Sequence, residues 1–182
     1  MNKGLSDRKR TVITFFLLTL TGCIIGWIYE MLFYRIDQGH FIRRGHGIGP
    51  WLPIYGFGAL GLALLMFKKK LSPLVIFFVA VVGSGIIEFV TGYVLYHFFN
   101  GLRLWDYNTE IWNYGNIGGY VCLRSVLIFG VMGVLFSLFV IPAITGAVKK
   151  APPKVIVPVT LILALLFFAD VIYGYMIGPL MA

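Results

Sequence analysis

Charged residues are scarce in this chain. Of its 182 residues, only 12% are Asp, Glu, Lys or Arg, whereas 59% are hydrophobic. A soluble domain carries about 25% charged residues and about 45–50% apolar ones. The charges here are too few to cover the surface of a globule, and the apolar residues come in runs long enough to cross a hydrocarbon core of about 30 Å. The composition therefore excludes a soluble enzyme and predicts an integral membrane protein.

Cysteine is also rare, and neither cysteine has neighbours suited to chemistry. Cys23 and Cys122 both lie inside hydrophobic runs, without a second cysteine or histidines at metal-ligand spacing. We therefore expect no metal site and no cofactor. Residues 20–23 resemble a lipoprotein cleavage box, but the apolar run continues to Phe33, so we expect a retained first helix.

A nucleic-acid partner is excluded by the distribution of the positive charge. The net charge is +8, but the cations lie in short clusters between the apolar runs, where membrane proteins keep their cytoplasmic anchors. No basic patch is interleaved with aromatic residues in a soluble segment.

The apolar runs predict an all-α fold, a polytopic membrane helical bundle that forms a single transmembrane domain over residues 1–182. Five transmembrane helices are predicted, at about residues 12–34, 51–67, 73–99, 120–141 and 155–179. The second is short for a full span. Glycines and prolines interrupt its entry, so we expect residues 45–53 to be non-helical and to fold against the bundle at the outer face of the membrane. Pro142 is expected to kink or end the fourth helix.

The orientation follows from the lysines and arginines of the short loops. With the N-terminus inside, ten of the 15 cations lie on the inner side: Lys3, Arg8, Lys9, Arg10, Lys68, Lys69, Lys70, Lys149, Lys150 and Lys154. The outer side holds Arg35, Arg43, Arg44, Arg103 and Arg124. We expect a multi-pass protein of the cell (cytoplasmic) membrane, with a cytoplasmic N-terminus and an extracytoplasmic C-terminus.

Three carboxylates, Glu30, Glu88 and Asp170, lie inside the predicted spans. A charge at the bilayer centre costs about 3 kcal/mol or more, so such residues face the bundle interior and have partners. A rise of about 1.5 Å per residue places these acids and Arg124 at about 24–27 Å from the inner boundary. We expect all four groups in one polar cluster near the outer face, joined by an arginine of the first outer loop.

Small residues accompany each acid at a spacing of four and predict close helix packing on the acid-bearing faces. These stripes are Gly22, Gly26, Glu30 and Tyr34; Ala80, Ser84, Glu88, Gly92 and Tyr96; and Asp170, Gly174 and Gly178. A shift of 58 residues also places Glu30 on Glu88. A tandem two-helix repeat plus one extra helix is therefore predicted.

The charged residues permit two interpretations. A purely structural ion-pair network is the first, because charges in lipid must be paired. The excess of acids over helix arginines, with further cations in the first outer loop, favours a ligand site. The candidate ligand-binding residues are Glu30, Arg43, Arg44, His46, Glu88, Trp105, Asp106, Arg124 and Asp170.

Four parts of the sequence carry a family resemblance. They are Gly-Trp-Ile-Tyr-Glu at residues 26–30, Arg-Arg-Gly-His-Gly-Ile-Gly-Pro-Trp-Leu-Pro-Ile-Tyr-Gly at residues 43–56, Glu88, and Trp-Asp-Tyr at residues 105–107. In these parts the chain resembles the ABC-transporter permease family called ABC-transporter type IV, small bacterial multi-span membrane proteins. The resemblance covers about residues 22–142 and implies transport. The chain lacks the Gly-rich phosphate-binding loop of an ATPase, so any energy-coupling subunit would be a separate polypeptide.

The leading hypothesis is a small membrane transport or permease-like protein. Its polar site would face the extracytoplasmic side and bind an anionic or amphipathic ligand, because guanidinium groups match carboxylate and phosphate. Two alternatives stay open: a membrane-embedded enzyme acting on a lipid or lipid-linked substrate at the outer leaflet, and a non-catalytic assembly or sensing subunit. The expected partners are membrane lipid, a separate ATPase or other membrane subunit, and a second copy of the chain.

Overall fold

The computed structural model describes residues 5–174, and their regular structure is helical, as predicted. The described residues form five helices: α1 (Asp7–Asp37), α2 (Pro53–Lys68), α3 (Pro73–Phe98), α4 (Leu123–Lys150) and α5 (Pro153–Ile172). The first loop (residues 38–52) joins α1 to α2, and the second loop (residues 99–122) joins α3 to α4. Within the second loop, Ile117 and Val121 form an isolated antiparallel bridge.

Four of the five helices are long and apolar enough to cross a membrane. These are α1, α3, α4 and α5, whereas α2 has 16 residues and a length of about 24 Å, less than the thickness of the hydrocarbon core. Large apolar side chains on α3 and α5, among them Phe78, Ile86 and Leu165, are exposed. Such surfaces are stable in contact with lipid, so the chain is a membrane protein.

The predicted end of the fourth helix at residue 141 was wrong. The helix continues through Pro142 to Lys150, and residues Phe136–Val140 form a π-helical segment directly before the proline. Proline lacks a backbone N–H and its ring crowds the preceding turn, and a wider turn relieves both effects. The helix also begins at Leu123 and not at residue 120, because the bridge of Ile117 with Val121 holds the chain in a turn.

The boundaries of the other helices lie closer to the prediction. The first is longer at both ends than residues 12–34, and the third ends one residue before the predicted residue 99. The last begins two residues early, and its predicted final part, residues 175–179, lies outside the described residues, as does Gly178.

The chain divides into two compact units, and α4 passes from one to the other. The first unit comprises Met1–Leu64 and Phe139–Ala182, and the second comprises Leu65–Leu138. In the first unit, α1 packs against the end of α4 and against α5. Arg10 donates hydrogen bonds to the carbonyl groups of Val148, Lys149 and Ala151, and thus supplies partners and positive charge to the C-terminal end of α4.

The predicted small-residue stripe of α1 is the contact face with α2. A Cβ at Gly22 would overlap Ala59, and one at Gly26 would overlap the ring of Tyr55. From the other side, a Cβ at Gly56 would overlap the Cys23 sulfur. The missing side chains therefore let the two helices approach closely, as lipid-embedded helices do when small residues line the contact.

In the second unit, α3 packs against the first part of α4. Gly130 of α4 lies against Phe77, and Gly92 of α3 lies against Tyr120 of the second loop. Glu88, one turn before Gly92, is buried on the same face of α3. The carboxylate of α3 therefore points to protein and not to lipid, as its stripe predicts.

Candidate functional site

Glu30 on α1 holds the first loop. Its carboxylate accepts a hydrogen bond from Arg44 Nε at 2.6 Å and another from the Tyr55 hydroxyl at 2.9 Å. The Arg44 guanidinium also lies over the Tyr34 ring, 4.1 Å from its centroid. Since Tyr34 follows Glu30 by one helical turn, arginine, carboxylate and ring form one stack along α1. The predicted contact between the helix acid and a loop arginine is present.

The Arg44 guanidinium is a charged positioning group. Burial alone would lower its pKa, but the adjacent Glu30 carboxylate outweighs that effect, and the net shift of the pKa is upward. Arg44 therefore stays charged, and its ion pair with Glu30 fixes the loop to α1.

Asp170 on α5 holds the same loop from a second side. Its carboxylate accepts hydrogen bonds from the backbone N–H of Ile48 at 2.6 Å, the backbone N–H of Gly49 at 3.1 Å and the Trp51 indole N–H at 2.7 Å. A Cβ at Gly47 would overlap this carboxylate, so only glycine fits there. The acid that the sequence predicts as a ligand residue here supplies the acceptor for three donors of the loop.

The end of the first loop enters deep between the helices. Residues 45–52 are non-helical, as predicted. Pro53, which was included in the predicted non-helical range, is instead the first residue of α2. The Leu52 N–H donates to the carbonyl oxygen of Cys23 at 3.1 Å, and Leu52 is buried. Cys23 lies 14 residues before the end of α1, a distance of about 21 Å along the helix. Irregular backbone at this depth is stable because protein groups satisfy its hydrogen bonds.

Arg43 and His46 lie on the exposed side of the first loop. Arg43 Nη2 donates to the Gly47 carbonyl oxygen at 2.7 Å, and its side chain is exposed. His46 is also exposed. The first unit therefore combines two intramembrane acids that hold a loop with a cation that the loop presents outward.

In the second unit, Glu88 is bound by hydroxyl groups. Tyr107 of the second loop donates to Glu88 Oε1, and Ser125 Oγ of α4 lies 2.8 Å from Glu88 Oε2. Glu88 is 6% exposed and Tyr107 is 7% exposed. Two effects raise the pKa of Tyr107 well above its usual value: the larger is burial, and the next is the nearby Glu88 carboxyl group. The phenol therefore keeps its proton and donates.

Arg124 forms an ion pair with Glu110, an acid that the sequence analysis did not select. Arg124 Nη2 and Glu110 Oε2 are 2.5 Å apart, and the two side chains are 10% and 5% exposed. Arg124 also lies over the Tyr107 ring, 5.5 Å from its centroid. Because Tyr107 also binds Glu88, the second unit brings Glu88 and Arg124 into one polar cluster, which we call the Glu88 cluster: Glu88, Tyr107, Glu110, Arg124 and Ser125.

Trp105 and Asp106 shape the second loop. The Trp105 indole donates to the Tyr120 carbonyl oxygen at 2.9 Å. Asp106 accepts from Arg103 at 3.3 Å and from the backbone and side chain of Asn108. Gly119, with a φ of 81°, faces these side chains, and a Cβ there would overlap them. Both predicted site residues therefore stabilise the loop.

The two units use one arrangement. In each, the carboxyl group of a helix acid contacts the hydroxyl group of the third residue of the following helix: Tyr55 of α2 for Glu30 of α1, and Ser125 of α4 for Glu88 of α3. This correspondence supports the predicted tandem repeat. A single cluster made from residues of both units stays a prediction.

Among the residues that the structure describes, no group of three or more His, Cys, Asp or Glu side chains is placed to hold a metal ion.

The comparisons with known proteins give one match. The model of the family described as "Putative ABC-transporter type IV" matches residues 15–175, which include most of α1 and all of the other helices. No curated protein and no solved structure matches the chain.

Proposed function

The chain belongs to the ABC-transporter type IV family, and we propose that it is a permease-type transport protein with an extracytoplasm-facing site for an anionic or amphipathic ligand. Family and helices together make it a transport-related membrane protein. The single observation that carries the proposed site is the first loop, which two intramembrane carboxylates hold while Arg43 stays exposed.

Arg43 is the proposed ligand-contacting residue, and Arg44 is its positioning neighbour. The charge of Arg44 is balanced by Glu30, whereas the described hydrogen bond of Arg43 goes to a neutral carbonyl group. A guanidinium carries five N–H donors in a planar fork that matches carboxylate or phosphate oxygens. His46, exposed on the same loop, adds a donor at the proposed site.

The proposed topology places this loop outside the cell membrane, with the N-terminus cytoplasmic and the C-terminus extracytoplasmic. The excess of Lys and Arg on the inner side supports this topology. In the structure, Lys149 and Lys150 end α4, and Lys68 ends α2. This topology requires α2 to complete a crossing. Residues 45–52 would cross the part of the membrane that α2 is too short to span. Their irregular backbone can lie there because protein groups satisfy its hydrogen bonds.

Energy coupling is assigned to another polypeptide. Membership of the family suggests association with other transporter subunits or an ATPase. The chain itself has no Gly-rich phosphate loop. Membrane lipid and a second copy of the chain are further proposed partners.

An anion that binds at Arg43 should stabilise the purified protein. At a concentration of 100 Kd, a ligand raises the free energy of unfolding by about 2.7 kcal/mol. We expect inorganic phosphate or glycerol phosphate to raise the melting temperature of the wild-type protein in detergent. Arg43→Gln should weaken the apparent affinity about tenfold or more, because it removes a charged hydrogen bond worth about 1.5–3 kcal/mol.

Arg35→Gln is the matched control, because Arg35 is an exposed arginine at the end of α1 that also donates to a loop carbonyl, that of Gly39. It should leave the anion effect unchanged. Equal stabilisation of wild type and Arg43→Gln would contradict the proposed site. Chemical conversion of glycerol phosphate during the incubation would favour the enzyme alternative.

A further inference from the structure

We propose that the Glu88 cluster is a proton-binding site, in which Glu88 carries a proton on Oε2 at neutral pH. This inference concerns the second unit and does not rest on the anion site proposed for the first loop. It follows from a count of hydrogen atoms and from a count of charges, which are independent of each other.

Three contacts between oxygen atoms connect the Glu88 carboxyl group to its neighbours. Tyr107 contacts Glu88 Oε1, Ser125 Oγ lies 2.8 Å from Glu88 Oε2, and Ser125 Oγ lies 3.0 Å from the Cys122 carbonyl oxygen. The two hydroxyl groups together supply two hydrogen atoms for these three contacts, so an ionised Glu88 would have to share the Ser125 hydrogen with the Cys122 carbonyl oxygen. A proton on Glu88 gives each contact its own hydrogen atom.

The position of that hydrogen follows from the acceptors. The Cys122 carbonyl oxygen can only accept, so the Ser125 hydroxyl donates to it, which is the local pattern common for serine in a helix. Ser125 Oγ can then accept at its second contact, from a protonated Glu88 Oε2. With the proton on Oε2, all three contacts are hydrogen bonds. Without it, the single Ser125 hydrogen would have to serve both Glu88 Oε2 and the Cys122 carbonyl oxygen.

The charges around Glu88 also favour its protonated form. The charged and titratable groups that face Glu88 are Arg124 of α4 and Tyr107 and Glu110 of the second loop. Arg124 and Glu110 neutralise each other in a buried ion pair. An ionised Glu88 would leave one unbalanced negative charge in this buried cluster, which costs several kcal/mol, whereas a protonated Glu88 leaves it neutral.

Release of the proton to solvent would change the second loop. Arg124 would then face two carboxylates, Glu88 on its neighbouring helix and Glu110 on the loop. The pairing that fixes Glu110 would weaken. The proton on Glu88 therefore stabilises the contact of the second loop with α4.

Infrared spectroscopy of the purified protein tests the site, because a protonated carboxyl group has a C=O stretching band that a carboxylate lacks. We expect this band in the wild-type protein at neutral pH and its loss in Glu88→Gln, whose amide can donate to Ser125 and accept from Tyr107. Glu30→Gln is the matched control and should leave the band unchanged, since Glu30 is ion-paired with Arg44. If the spectra of the wild-type protein and of Glu88→Gln showed the same carboxyl bands, the proposal would be overturned.

Two further results keep the test decisive. Tyr107→Phe removes the hydrogen bond to the C=O group and should shift the band to higher frequency. If Glu88→Gln does not fold, Tyr107→Phe alone decides the test. A carboxyl C=O band at the same frequency in Tyr107→Phe and in the wild-type protein would then overturn the proposal. Raising the pH should remove the band in the wild type. The readout does not depend on transport, so its failure and a failure of the anion site are separate results.

Discussion

Arg124→Gln is expected to lower the free energy of unfolding by about 3–5 kcal/mol. The substitution leaves Glu110 as a buried carboxylate without its ionic partner, and breaking a buried pair from one side costs about this much. The double variant Glu110→Gln/Arg124→Gln should recover more than half of the loss, because neither side chain then carries a charge. Unfolding of the purified variants in detergent, followed by tryptophan fluorescence, measures both effects.

Arg103→Gln is the control for this pair. Arg103 also forms an ion pair, with Asp106, but the two side chains are 24% and 31% exposed. Solvent screens such a pair, so we expect a loss of about 1 kcal/mol or less. If Arg124→Gln were no more destabilising than Arg103→Gln, burial of the Arg124–Glu110 pair would not be the source of its stability.

Asp170→Ala is expected to detach the first loop and to cost about 2–5 kcal/mol. Three donors lose a charged acceptor, and the N–H groups of Gly49 and Trp51, which are partly buried, are poorly placed to bind water instead. The released loop should also become accessible to trypsin at Arg43 and Arg44. Cleavage rate and unfolding free energy are the two measurements.

The control for Asp170 is Asp7, an exposed acid in the first turn of α1. Asp7→Ala should change the unfolding free energy by about 0.3–1 kcal/mol, the size of a helix-dipole effect, and leave the cleavage rate unchanged. Trypsin cleavage in Asp170→Ala at the wild-type rate would show that the carboxylate does not hold the loop.

Much of the fold could be predicted because the relevant physical signals are local. Runs of apolar residues gave five helices, and the spacing of Gly22 and Gly26 identified the face that packs against α2. The glycines and prolines of residues 45–52 identified irregular backbone before α2. The length of α4 could not be predicted in this way, because a proline can either end a helix or be accommodated by a π-helical segment, as it is after Phe136–Val140.

The partners of the acids were harder to predict than their burial. An ionisable residue in an apolar run must face protein, but its partner can come from any loop. Glu110 lies in a polar loop where an acid gives no signal, yet it forms the ion pair of Arg124. Asp170 binds mainly backbone N–H groups, which every sequence contains and no pattern reveals. Sequence therefore located the acids, and tertiary structure determined what each one holds.

We propose that this membrane protein moves an anion that Arg43 binds. Exchange across proteoliposomes tests it directly: vesicles loaded with the unlabelled anion that best stabilises the purified protein are placed in labelled anion. We expect label uptake by wild type and by Arg35→Gln, and an uptake about tenfold lower with Arg43→Gln, since a loss of about 1.4 kcal/mol is tenfold. Wild-type vesicles that bind the anion but exchange it no faster than protein-free vesicles would contradict anion transport by this protein.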